Sequence, residues 1–421
     1  MFHIEEGNQP ATVTLTLEQD SDIWTLENEK VQIKIDTQNT YVTEFRTKDG
    51  ENVLHSNGAY FDFNEANGFF GSIGTKGNPT IEPPRLCSQT DDYIDVGIRA
   101  RMFDPETDWR SPLAFDWHIV LQKGDTGFYT YIITKHIPIS GEMTIGQLRF
   151  ILWTTSRFKD YALTPERTGH LLEHEWKYTL TRQWEPYSTH GLIDPDSKEG
   201  IWAIYGSKFW SRGPDQRELS LHLDAQSGIA VLLTMLEAGH YGRFPTSRPS
   251  GIHITEGWEK IYGPVFYMLT SGGNHGEMFE SAQKRADCDR KHFPPEWLSD
   301  KIGTMTKVTG NIAPNNISHP VRIVLRNDRY SFWTTCPSGK KFEIDKVLIG
   351  TYTLTARQGP YAFYENEEIK VDKNFDIVIH PLQKKSNAKQ ENESTVELPQ
   401  GFEKESPNKV KMLPSKAGKQ N

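Results

Sequence analysis

FDWHIVLQKGDTGFYTYIITKH, residues 115–136, decides the fold class. Phe115–Leu121 and Phe128–His136 are short runs rich in aromatic and β-branched side chains, which suit a pleated strand. Between them Gly124-Asp125-Thr126-Gly127 supplies turn residues, so the two runs read as an antiparallel hairpin. Working outward, Val31–Ile35 (VQIKI) alternates apolar with polar side chains, as a half-buried strand does, and Ala11–Leu17 (ATVTLTL) reads similarly. Short strands punctuated by Gly, Pro or Asp continue to Val265–Leu269. Many strands without alternating helices imply a large antiparallel sandwich, not a βαβ fold.

One helix interrupts this pattern. Across Glu277–Lys291 the residues Met278, Phe279, Ala282 and Ala286 share a face, and Pro294-Pro295 stops the helix. The predicted organisation is therefore an all-β domain over 1–275, a helical linker or clasp over 276–300, and a small β-sandwich over 301–382. Val321–Arg326, Lys341–Ile344 and Thr351–Thr355 are its expected strands. Residues 383–421 carry one aromatic, Phe402, among Lys, Glu, Asn, Ser, Gln and Pro, and are expected to be a disordered tail.

Composition narrows the function. The chain has 421 residues and is 36% hydrophobic and 24% charged, which fits a globular protein. Its net charge of −9 argues against a general nucleic-acid binder, although a cleft can be locally basic on an acidic protein. No apolar run approaches the roughly 20 residues of a membrane helix, and MFHIEEGNQP does not read as a signal peptide. Cys87, Cys288 and Cys336 are distant and in no CxxC spacing, so at most one disulfide and no zinc cluster is expected. There is no GxGxxG, Walker loop, HExxH or GxSxG; the His170…His174 pair matches no metal signature.

Three stretches remain. IGQLRFILW (Ile145–Trp153) places Arg149 inside an apolar run, where an arginine needs an anionic partner, either a protein carboxylate or a ligand. EWKYTLTRQWEPYSTHG (Glu175–Gly191) is dense in aromatics and cations, and LLTMLEAGHYGRFP (Leu232–Pro245) is an apolar strand opening at a glycine-flanked histidine. Plain structural readings stand beside these: Arg149 as a core ion pair, Lys177 as a solvated strand residue, His240 as a satisfied histidine.

The same stretches resemble the rhamnogalacturonan lyases of polysaccharide lyase family 4. The matching blocks are IGQLRFI, the Lys177-to-His190 segment with Trp184, RGPDQREL (Arg212–Leu219), AGHYG, YGPVFYMLTSGG (Tyr262–Gly273), TKVTGNI (Thr306–Ile312) and Ile349–Phe363. The resemblance implies a β-super-sandwich of the galactose-mutarotase type carrying the active site, followed by a fibronectin-III-like domain. A jelly-roll carbohydrate-binding domain would come third, and here only a truncated remnant is expected within 383–421. Carried over, the catalytic lysine falls on Lys177, the catalytic histidine on His240 and a carboxylate-binding arginine on Arg149. A second family arginine would fall on Trp153, and paired tyrosines on Leu233 and Met235, so those contacts differ here.

The implied substrate is a pectic polysaccharide of alternating rhamnose and galacturonate, cleaved by β-elimination. Arg149 would neutralise the carboxylate, while Lys177 and His240 share the roles of base and acid in an order the sequence leaves open. His190, Trp184, Tyr241 and Arg212 are the expected substrate contacts. Tyr187, Trp202 and Trp210 could also stack on sugars, and Arg157, Lys159 and Arg182 could add positive potential. No cofactor is required; calcium occurs in such lyases, but no Asp/Glu cluster here resembles its loop. The chain is expected to be a monomer, without nucleic-acid or membrane partners, and extracellular by its substrate and family. Two rival readings are a non-catalytic pectin-binding protein on the same fold and a mutarotase-like sugar epimerase.

Overall fold

A computed structural model of the protein describes residues 15–65, 70–73, 79–104, 109–138, 141–172, 177–181, 187–209, 213, 217–224, 226–238, 252–312, 320–337, 341–358, 361–372 and 375–379. Within them lie two large antiparallel sheets of eleven and ten strands and two small sheets of three and four. This is the all-β super-sandwich expected. The tail 383–421 and residues 11–14 of the first expected strand lie outside the described residues.

The opening hairpin is present: Trp109–Gln122 pairs with Gly127–His136, with Leu113 opposite His136 and Val120 opposite Tyr129. Alternate residues of a strand face opposite ways. Phe115, Trp117, Ile119, Leu121, Phe128 and Ile132 therefore enter the core between the two large sheets. Val120, Tyr129 and Tyr131 enter a second core on the other side. A strand covered on both faces has no polar side, which explains why FYTYII reads as continuously apolar.

The first large sheet runs Thr16–Gln19, Ile23–Glu27, Val31–Asp36, Val42–Thr47, Leu54–Glu65, Met143–Thr154, Ala230–Ala238, Arg217–Leu223 and Lys177–Thr181 in spatial order. Glu259–Ser271 lies beside Gly127–His136 in the second sheet, followed by Glu199–Ile204 and Thr189–Asp194. Aromatic side chains interdigitate between the sheets: Trp117 and Tyr267 meet Phe150 at 5.6 and 5.0 Å, and Phe63 meets Phe115 at 5.2 Å. Each such side chain contributes about 1.5–3 kcal/mol by leaving water.

The helix spans His275–His292 and buries Met278, Phe279, Ala282 and Ala286, the face predicted. Asn274 and Glu277 form a reciprocal capping box at its start. It covers the outer side of the second sheet, with Phe279 edge-on to Trp202 and Tyr187 at 5.8 and 5.4 Å. Arg285 holds Asp125 of the hairpin turn through bonds of 2.7 and 2.8 Å, so the helix is locked onto the hairpin. Beyond it, Lys341–Leu348, Met305–Ile312 and Phe375–Ile379 form the three-stranded sheet. Ser331–Cys336, Val321–Arg326, Gly350–Gln358 and Tyr361–Val371 form the four-stranded one. Their Ile323, Leu325, Phe332 and Leu354 belong to the same apolar cluster as Tyr129, Phe279 and Trp297. All three cysteines are free. No helix among the described residues is long and apolar enough to cross a membrane.

One irregularity matters for the site. Along Ala230–Ala238, Met235 opposes Arg149 but Glu237 opposes Leu148, so Leu236 is an extra residue. Such a bulge reverses the alternation beyond it. Glu237 consequently turns in between the sheets, where Lys260 Nζ and the Tyr262 hydroxyl each lie 2.9 Å from its Oε1. Lys260 is 0% exposed and Glu237 1%. Breaking one partner of a buried pair strands the other charge. Lys260→Met should cost about 3–5 kcal/mol in urea unfolding, and Lys260→Met with Glu237→Leu should recover most of that. Equal losses in the single and double variants would contradict the pairing.

Candidate active site

The outward face of the first sheet carries the candidate site. Arg149, Ile151 and Trp153 alternate outward on Met143–Thr154, opposite to inward Leu148, Phe150 and Leu152. Arg149 donates from Nε to Asp62 Oδ1 at 2.7 Å and from Nη2 to Oδ2 at 2.8 Å. This two-pronged fork is the strongest geometry for such a pair. Asp62 is 1% exposed, while the Arg149 side chain keeps 19%. Burial pushes the Asp62 carboxyl upward, and Arg149 pulls against it. The anionic partner demanded by the sequence is thus a protein carboxylate, and the arginine still reaches the surface.

Lys177 begins the strand Lys177–Thr181 at the far side of the same sheet. Its backbone lies opposite His222, His222 opposite Val231, and Val231 opposite Trp153. Arg149 sits four residues along from Trp153, about 13 Å at 3.3 Å per residue. Ala238, opposite Gln147, ends the strand two residues before His240. His240, Tyr241, Trp184 and Arg212 lie outside the described residues, as do Trp210, Arg182 and His174. One sheet therefore brings together Arg149, the Lys177 strand and the strand that leads to His240.

His190 departs from expectation. It has no exposed surface and points between the sheets, where its Nε2 lies 3.1 Å from the Leu233 carbonyl. Tyr205 stacks beside it with ring centroids 5.7 Å apart. A side chain without surface touches no polymer, so His190 ties the backbone beneath the site instead of binding substrate. Trp202 is likewise a core group, donating to Thr270 at 2.8 Å, and Tyr187 packs on the helix. Arg157 pairs with Asp194 at 3.1 Å and Glu199 at 2.6 Å.

A polar cluster on the outer face of the second sheet was not anticipated. His118 Nδ1 bonds Asp95 at 2.7 Å, and its Nε2 lies 3.4 Å from Asp116. Tyr131 donates to Asp95 at 3.0 Å and stacks on the imidazole at 4.4 Å. Arg85 holds Asp116 through contacts of 2.5 and 2.6 Å. Cys87, Asp95 and His118 are close enough to share a metal ion. His118 and Tyr131 already occupy Asp95, however, and the histidine reads as an imidazolium between two carboxylates. Burial opposes that charge, but Asp116 and Asp95 outweigh it and push the pKa to about 10. These residues come from four strands, and hydrophobic patterning gives no sign of their meeting.

Residues 305–377 match the family model described as polysaccharide lyase family 4, domain II. A galactose mutarotase-like protein from Lactobacillus casei aligns over 59% of this chain and 100% of its own, at 11% identity and a TM-score of 0.38. The chain is an all-β protein built on two large sheets, and its C-terminal segment is similar to domain II of that lyase family. Probable rhamnogalacturonate lyase B of Aspergillus terreus is 23% identical over 286 residues, covering 60% of this chain and 40% of that protein. Rhamnogalacturonate lyase of Dickeya dadantii is 21% identical over 341 residues, covering 73% and 56%. The resemblance stated from the motifs therefore holds: the chain is similar to rhamnogalacturonate lyases of polysaccharide lyase family 4. It spans about half the length of the curated relatives it matches.

The His118 cluster makes a prediction of its own. A histidine whose pKa rises on folding adds stability that is complete below the unfolded value, near 6.5, and is lost as pH climbs through about 10. The stability difference between wild type and His118→Gln should therefore shrink from pH 6 to pH 10.5, measured by urea unfolding. A difference constant across that range would exclude a charged imidazole.

Proposed function

We propose that this protein is a lyase that cleaves the rhamnose–galacturonate backbone of rhamnogalacturonan I by β-elimination. The observation that carries the reading is the similarity to rhamnogalacturonate lyases over as much as 73% of the chain. The shared sheet of Arg149, the Lys177 strand and the strand leading to His240 supports it.

The chemistry needs three parts. The C5 proton of galacturonate is weakly acidic while its C6 carboxylate is charged, and Arg149 is the cation proposed to offset that charge. A base takes the C5 proton, the C5–H electrons form the C4=C5 bond, and the C4–O4 bond breaks. An acid then protonates the glycosidic oxygen, which departs as the anomeric hydroxyl of the rhamnose. Lys177 and His240 fill these two roles, and the sequence permits either allocation. Neither a covalent nucleophile nor a change of oxidation state enters this scheme. A secreted site of action follows from the polymeric substrate and is part of the same proposal.

The product carries a double bond conjugated to its carboxylate, so ultraviolet absorbance should rise with rhamnogalacturonan I and stay flat with homogalacturonan. Lys177→Ala and His240→Ala should each lower turnover by about 10²–10⁴-fold. Arg149→Gln should lower kcat if the arginine faces the reacting carboxylate; a rise in KM alone would assign it to a neighbouring uronate. Wild-type rates in both the Lys177 and His240 variants would sink the assignment. Binding without any absorbance change in wild type would favour a pectin-binding protein on this fold, the reading suggested by Trp153, Leu233 and Met235.

A further inference from the structure

Beside Arg149 the same face changes character. Ile151, Val231, Leu233 and Met235 form a small apolar cluster separate from both main cores, with Tyr60 and Trp153 packed against it. The four aliphatic side chains are at most 4% exposed, whereas the two aromatic ones are half-buried and reach the surface. Trp153 donates its indole N–H to the Tyr60 hydroxyl at 3.1 Å, and Tyr41 lies against Tyr60 at 5.2 Å. This bond fixes both rings in place and uses their polar atoms on each other. Burial holds the Tyr60 hydroxyl above its ordinary pKa, so it stays a neutral partner.

We infer that Tyr60 and Trp153 are a stacking platform for an uncharged sugar ring with an apolar face, such as a 6-deoxyhexose, next to a uronate held at Arg149. The inference rests on the polysaccharide reading above and adds which sugar occupies which part of the face. Register supplies the argument. Asp62 opposes Arg149 and Tyr60 opposes Ile151, so Tyr60 stands about 7 Å along the sheet from Arg149, with Trp153 one further step out at about 13 Å. The shorter distance is the scale of neighbouring rings in a glycan, and a polymer alternating charged and uncharged sugars matches a face alternating cation and aromatic. The surroundings are complementary too: a second carboxylate laid on the Trp153 ring would be desolvated over the apolar floor of Ile151, Val231 and Leu233. A rigid indole over aliphatic support presents its π-face at little ordering cost.

The test separates platform from chemistry by measuring affinity directly. Wild type, Trp153→Ala, Trp153→Phe and Tyr60→Ala are titrated calorimetrically with rhamnogalacturonan I oligosaccharides and with homogalacturonan oligosaccharides. Trp153→Ala should weaken binding of the first by about tenfold or more, Tyr60→Ala by a similar factor, and Trp153→Phe by less than threefold. Homogalacturonan should bind more weakly than rhamnogalacturonan I to wild type, and Trp153→Ala should narrow that gap. Unchanged affinity in both alanine variants overturns the platform even if the absorbance assay shows a lyase. An absorbance-silent wild type that still loses affinity in Trp153→Ala keeps the platform and overturns the lyase. If Trp153→Ala does not fold, Tyr60→Ala and Trp153→Phe decide. Wild type without affinity for either oligosaccharide overturns the inference.

Discussion

The hairpin of Trp109–Gln122 and Gly127–His136 must be covered on both faces, and the rest of the architecture follows from that need. On one side the eleven-stranded sheet supplies aromatic side chains such as Phe61, Phe63 and Phe150. On the other, neither the helix nor the small sandwich alone provides the cover; both contribute to one cluster. Trp297 shows the dependence well, lying 5.2 Å from Tyr129 and 5.5 Å from Tyr131 while belonging to the segment that leads into the second domain. The second domain is therefore part of what buries the first, in the manner of a shared interior.

This arrangement divides labour between the two large sheets. The ten-stranded sheet has its outer face taken up by the helix, the small sandwich and the His118 network. Among the described residues, the outward face of the eleven-stranded sheet carries the Arg149–Asp62 pair and the Tyr60–Trp153 rings. His190 links the divisions, since it holds the carbonyl of Leu233 from below while the Leu233 side chain supports the face above.

Local rules carried the reading of the sequence where contacts were local. The helix face of Met278, Phe279, Ala282 and Ala286 was legible because its period and the prolines that stop it agree. Val31–Asp36 was legible because one of its faces is buried and the other half-exposed. Arg149 showed only that it needs an anion; that the anion is Asp62, 87 positions away, depends on strand pairing that no short window contains. His190 misled for a related reason. It stands in a block of polar and aromatic residues, yet strand alternation turns it inward, and the parity of a strand relative to its sheet is invisible without the partner strand. The His118–Asp95 bond and the Lys260–Glu237 pair each join residues 23 positions apart on different strands, so neither left a mark in composition or spacing.

The bulge at Leu236 works as a reading-frame shift written in side-chain direction. Before it, the even-numbered residues of Ala230–Ala238 face inward; after it, the odd-numbered Glu237 does. Removing a single residue there would leave both ends of the strand paired and the hydrophobic content almost unchanged. Yet it would put a carboxylate where an aliphatic group belonged, and would launch the following segment, with its glycine-flanked histidine, from the opposite side of the ribbon. Insertions and deletions are thus constrained by phase as much as by length at this strand.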